Sequence, residues 1–194
     1  MAIVINIIVN LCSMRQLILL LLLIPLVSFG QDFRKMSFGE SVENLTEKYP
    51  DIEFEVEEVD GVEIVAHEDN IAGITTVVGY VFQNKKFVTG MYNFESEWDG
   101  DEALKNYKSV SERLNAKYKM TENNKWHKDL WKDKPNYHGH ALGMGDVDFV
   151  ERYEGEGKTV LHSISKSDDG LLHIVMYVNP EFENKLSQQN ADDF

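Results

Sequence analysis

Two adjoining runs, Ile74–Phe82 and Lys86–Phe94, constrain this chain more than any other feature. Both are rich in β-branched and aromatic residues, and Asn84-Lys85 lies between them. Runs of that composition around a short turn read as a β-hairpin. With a two-residue loop, Phe82 opposes Phe87 and Gly79 opposes Gly90. Facing glycines would leave a flat notch on the sheet, where a helix or an aromatic ring can lie close. This reads as packing rather than as a ligand contact.

A hairpin alone is not stable in water and needs further strands and an apolar cover. Ile52, Phe54 and Val56 alternate with Asp51, Glu53, Glu55 and Glu57, the pattern of a half-buried strand. Asp60-Gly61 then signals a type I′ turn, with Val62–Ala66 returning. Three more strands are expected at Leu142–Tyr153, Lys158–Ser165 and Leu171–Val178, turned by Glu154–Gly157 and Asp168-Asp169-Gly170. Ser41 opens a helix over Val42–Tyr49, with Val42, Leu45 and Tyr49 on one face, and Pro50 ends it. Asp99 opens a second, with Glu102 placed for a capping box and Leu104, Tyr107, Val110, Leu114 and Tyr118 as its apolar stripe. Lys117 and Lys119 suit the dipole at its end. Thr121 to Gly139 reads as a polar, irregular connection that drapes Trp126 and Trp131 onto the core. Asn179-Pro180 opens a short last helix.

The expected fold is therefore α+β: an antiparallel sheet packed by two amphipathic helices, in two pseudo-repeated helix–strands units. No Pro-, Gly- or Ser-rich linker divides it, so residues 31–187 form one domain and 188–194 a flexible tail.

The first thirty residues read as a Sec-type signal peptide. Leu17 to Val27 spans eleven apolar positions, within the length of a signal h-region and short of a membrane span. Arg15 supplies the positive n-region, and Ser28 and Gly30 are small residues before a cut at Gln31. The natural start is then Met14; the rival reading is an N-terminal anchor built from Met1–Leu11 together with the later run. Cys12, the one cysteine, precedes the h-region, so the mature chain has no lipid acceptor, no disulfide and no thiol nucleophile. The expected location is periplasmic or secreted, with no stable membrane anchor after cleavage. A net charge of −14 argues against nucleic acid, whose phosphates demand Lys and Arg.

A resemblance attaches to the opening, Asp32-Phe33-Arg34-Lys35-Met36-Ser37-Phe38-Gly39-Glu40-Ser41. It resembles the Phe-Arg…Trp-Gly-x-Ser start of small exported bacterial proteins of uncharacterised function, with Phe38 where Trp is usual. Tyr80-Val81-Phe82, Lys86 to Phe94 and Tyr177-Val178-Asn179-Pro180 fit the same layout. The arrangement is similar to the helix-plus-sheet modules of outer-membrane assembly lipoproteins and β-lactamase-inhibitor proteins. That resemblance implies binding of proteins without catalysis, and it carries no active-site residues.

The chemical candidates are few. His127, Asp129, Asp133, His138 and His140 cluster in sequence and would be the ligands of a small metal-assisted hydrolase. Read as a polar loop, they are solvated surface groups. Glu53, Glu55 and Glu57 read as a charged strand face that blunts an edge, rather than a calcium site. Gly139, Gly143 and Gly145 lack the Gly-Lys-Ser/Thr of a phosphate loop. Ser163 and Ser165 beside His162 and His173 form a catalytic set on paper only. Nothing in the pattern asks for a cofactor. The residues favour an exported, non-enzymatic binding module whose partner is another envelope or extracellular protein.

Overall fold

The computed structural model describes residues 31–71, 73–95 and 99–184. The expected signal peptide, residues 1–30, and the expected flexible tail, residues 188–194, lie outside the described residues. The chain runs α1 (Val42–Lys48), β1 (Glu55–Val59), β2 (Val62–Ile71), β3 (Ile74–Gln83), β4 (Lys86–Phe94) and α2 (Gly100–Asn115). It continues with β5 (Lys119–Trp126), α3 (His138–Met144), β6 (Val147–Gly155), β7 (Lys158–Ser167) and β8 (Gly170–Val178). All eight strands form one antiparallel sheet in the order β1-β2-β3-β4-β8-β7-β6-β5. The fold is α+β, and its two halves repeat: each has a helix followed by four antiparallel strands, with α3 inserted between β5 and β6 in the second, and the last strands of the halves pair.

Local chemistry accounts for most of these elements. The Asp99 carboxylate accepts the backbone N–H groups of Asp101 and Glu102 and so caps α2. Leu104, Tyr107 and Leu114 on α2 and Tyr118 just past it are buried, as their spacing predicts. Asp60, Gly61, Asn84 and Lys85 all have positive φ, as two-residue hairpin turns require. Asn179 accepts the N–H of Glu181 and opens a short helix over 180–184.

Register decides which side chains meet. Phe82 pairs with Phe87 as expected, but a bulge between Val81 and Phe82 shifts the rest of the hairpin by one. Gly90 therefore opposes Tyr80, and Gly79 opposes Met91, so the two glycines do not face each other. A bulge adds a residue to one strand only, and alternation along either strand does not reveal it. The notch nevertheless exists at Gly90 alone. A Cβ there would lie 2.1 Å from the ring of Phe33, which fills the space. That ring packs edge-on against Tyr80 and also meets Tyr92 and Tyr177, so it touches both halves of the sheet. Lys158 of β7, buried, donates to the Asp32 carbonyl and pins the same N-terminal segment to the second half.

Three expectations are corrected. The strand expected from Ile52 begins at Glu55, and all of β1 is exposed rather than half-buried, because among the described residues no helix packs on this edge strand. The stretch 121–139 is not wholly irregular: Lys119–Trp126 is the opposite edge strand, and His138 begins a helix. β5 is held by backbone pairing to β6, which needs no apolar alternation. Its Trp126, with Trp131, does pack on the core. Leu142 belongs to α3, and β6 starts at Val147.

Phe33→Ala should cost about 3–5 kcal/mol and Gly90→Ala about 1–3 kcal/mol, read as urea midpoints. Because the two sites touch, the double variant should lose less than the sum; additive losses would show that the ring does not rest on Gly90.

Candidate functional site

Strand alternation gives the sheet two different faces. Tyr80, Tyr177, Val160 and Tyr153 share one row of register and one face. Leu45 of α1 packs on this face beside Val65 and Tyr80, and α2 and α3 pack on it over Phe149 and Ile164. The other face carries the row Ala66, Gly79, Met91, Met176, Leu161 and Arg152. The next row holds Val77, Asn93, Ile174, Ser163 and Val150. Among the described residues only 180–184 turn onto this side, where Glu183 accepts from Thr159 and pairs with Arg152. The remainder is open: Val77 is 37% and Leu172 38% exposed, and Met91, Leu161, Ile174 and Met176 are half-buried by their neighbours alone.

Met91 and Met176 face each other at the middle of the sheet, and the Met91 side chain occupies the space a Cβ on Gly79 would take. Methionine is flexible and polarizable, and it suits surfaces that adapt to a partner. Glu55, Glu57 and Glu68 border this centre on the β1–β2 side. Glu55 and Glu57 thus lie on the exposed edge strand, while Glu53 precedes it. The arrangement is an apolar, deformable centre with an acidic border.

The five proposed metal ligands do not converge. His127 donates to Asp148 at 2.7 Å, and His138 donates to the Lys132 carbonyl at 3.1 Å. His140 meets the ring of Trp131, Asp129 lies 3.9 Å from Lys132, and Asp133 is exposed. His138 and His140 stand two apart on a helix, which points them to different sides. Among the described residues no three His, Cys, Asp or Glu side chains are grouped to hold a metal ion. Gly139 serves packing: a Cβ there would lie 2.0 Å from Asp101, so its absence lets α3 approach α2. Gly145 ends α3 with a left-handed φ of 77°.

His162 and His173 do come together, but beneath α2 and without the expected serines. Their Nε2 atoms are 2.9 Å apart, and His162 Nδ1 is 3.0 Å from Glu151 Oε2. That carboxylate oxygen also accepts from Tyr153, and Ser111 Oγ lies 2.7 Å from it. Ser163 and Ser165 fall on the opposite face, since residues one apart on a strand alternate. Sequence reasoning missed Ser111, Glu151 and Tyr153, because only the register and the seat of α2 bring them to His162.

The network resembles a Ser–His–acid set in composition but not in wiring. In a catalytic triad the histidine accepts the serine proton and the acid stands behind the histidine. Here Glu151 accepts from both. His162 Nδ1–H donates to Glu151, which leaves Nε2 to accept from His173 Nε2–H. With Nδ1 already a donor, His162 has no lone pair facing Ser111, which lies 3.4 Å from it. Both imidazoles are sealed from solvent, at 0% and 1% exposure.

Burial lowers the pKa of His162, and the hydrogen bond to Glu151 only partly restores it. Burial, followed by the neighbouring His162, pushes His173 down to about 3. Burial raises the Glu151 carboxyl, but hydrogen bonds from His162, Tyr153 and Ser111 outweigh it and hold the group below the ordinary glutamate range. Two neutral histidines and one carboxylate thus tie α2 to β6, β7 and β8.

Comparison with family models, curated proteins and solved structures finds no match to this chain.

The buried histidines set a pH dependence. A histidine whose folded pKa is depressed takes up its proton only on unfolding, so stability falls as pH drops below about 6.5. Between pH 7.5 and 5.0, His173 alone should remove about 2 kcal/mol from the unfolding free energy. Urea titrations at the two pH values check this. His173→Phe should flatten the slope; an unchanged slope would show that the imidazole is already charged in the native protein.

Proposed function

We propose that this protein is an exported, non-enzymatic binding module of the cell envelope, and that its open sheet face docks another protein. The observation that carries the reading is the one-sided cover of the sheet. α1, α2 and α3 all pack on one face, and Met91, Met176, Leu161 and Ile174 remain on the other. Antiparallel sheets commonly leave one face to water, but that face is then polar. A contiguous apolar face bordered by charge is the usual mark of a protein contact.

The acidic border defines the partner's chemistry. Glu55, Glu57 and Glu68 favour a surface with an apolar knob flanked by Lys or Arg, and the net charge of −14 assists its approach. The partner is then an envelope or extracellular protein, reached after removal of residues 1–30. The resemblance to assembly lipoproteins and β-lactamase-inhibitor proteins agrees with this reading, since those modules bind proteins without chemistry of their own. The hydrolase reading would need His127, His138 and His140 to converge, and each has a different neighbour.

A photo-crosslinking residue at position 176 in the native envelope should capture one partner, while the same residue at Lys105 on α2 should not. The identified partner should then bind the purified protein with an affinity that falls at least about tenfold in Met91→Glu/Met176→Glu and weakens with salt. Equal capture from both positions, or binding indifferent to the two substitutions, would overturn the docking face. Export is checked separately: the protein from the envelope should begin at Gln31, and an intact N-terminal apolar run would refute cleavage.

A further inference from the structure

A groove runs along the seam of the two halves, on the helix-covered side. Its volume is about 400 Å³. Ile71 and Ile74, at the turn between β2 and β3, form one wall; Val110 and Leu114 of α2 form the other. Phe94 and Tyr177, from the paired strands β4 and β8, lie on its floor. Ile71, Ile74, Val110 and Tyr177 are only partly buried, although all four pack on a buried cluster that includes Val175 and Tyr153.

The polar groups of the groove are selective. Arg113 of α2, three residues beyond Val110 and so on its side of the helix, and Lys117, just past the helix end, both line it. Lys117 Nζ sits 5.1 Å from the Tyr118 ring and 3.8 Å from Glu156, a loose exposed pair that a carboxylate ligand can displace. The chain has 33 acidic and 19 basic residues, yet among the described residues this apolar groove is lined by two cations and no acid. The volume lies near the lower end of the 300–1,000 Å³ typical of small-molecule pockets. It admits one narrow chain and excludes a helix or a two-chain lipid.

We propose that the groove binds one medium-chain fatty acid, with the acyl chain on the aromatic floor and the carboxylate between Arg113 and Lys117. The site lies on the face opposite the docking surface and does not depend on it. Each added methylene buries further apolar area, which corresponds to about fourfold in affinity. The carboxylate supplies the sign preference, because both charged groups described at the groove are cations that cannot pair with a cationic head.

Calorimetry of the purified protein with octanoate, decanoate and dodecanoate, each below its micelle concentration, tests the proposal. One molecule should bind per chain, and affinity should rise about fourfold per methylene. Decyltrimethylammonium should bind at least about tenfold more weakly than decanoate. Arg113→Gln/Lys117→Gln, changed only at exposed positions, should lose about tenfold for decanoate. Val110→Trp should fill the groove and abolish binding with its melting temperature held near wild type. Met91→Glu/Met176→Glu should bind decanoate as wild type does, which separates this site from the docking face. Absence of saturable binding below about 1 mM, equal binding of the cationic amphiphile, or unchanged affinity in Arg113→Gln/Lys117→Gln would overturn the assignment.

Discussion

The pairing of β4 with β8 is the interaction on which the rest of the molecule depends. Six residue pairs, from Thr89–Val178 to Phe94–His173, join the two four-stranded halves into one sheet. Because the last strands of the halves pair antiparallel, the halves are related by a rough two-fold axis through the seam. Both helices of the repeat then fall on the same face, and among the described residues only 180–184 cover any of the opposite face. The seam is also where the N-terminal segment is fixed. Phe33 lies over Gly90 and meets Tyr92 and Tyr177, while Lys158 holds Asp32. The opening from Asp32 to Ser41 is, in this fold, a plug that clamps the halves together.

Much of the fold was legible because short-range chemistry wrote it. The Asp99 cap, the stripe from Leu104 to Tyr118 and the turns at Asp60-Gly61 and Asn84-Lys85 each rest on residues close in sequence. What escaped depends on partners far away. β5 has almost no apolar alternation, so Thr121 to Lys125 reads as loop until β6 is placed beside it. Gly79 and Gly90 separate because one bulge lies between them and the turn. Glu151 meets Ser111 and His162 only when α2 crosses β6 and β7, a contact spanning forty residues from Ser111 to Glu151. His162 and His173 were visible as a pair, but the hydrogen-bond direction that makes them structural was not.

The two faces divide the work of the molecule. On the covered face one polar network is paired and turned inward: Glu151 accepts several hydrogen bonds, and the two histidines are neutral. Such a network fixes the seat of α2, and it makes the protein sensitive to acid. On the open face the central side chains, Met91 and Met176, have no layer above them among the described residues and can repack against a partner at little conformational cost. The exposed edge strand β1 carries Glu55, Glu57 and Glu58, which discourage strand addition from another chain. The proposed contact therefore falls on the face and away from the edge.

Methionine oxidation reads that division most directly, since a thioether reacts only where the reagent reaches it. In the purified protein, Met91 and Met176 should oxidise with Met120 and Met144, which are exposed, while Met36, fully buried, is spared. In the intact native envelope, Met91 and Met176 should become protected, and Met120 and Met144 should react as before. Equal oxidation of Met91 and Met176 in both settings would contradict the account, because the open face would then have no partner where the protein works.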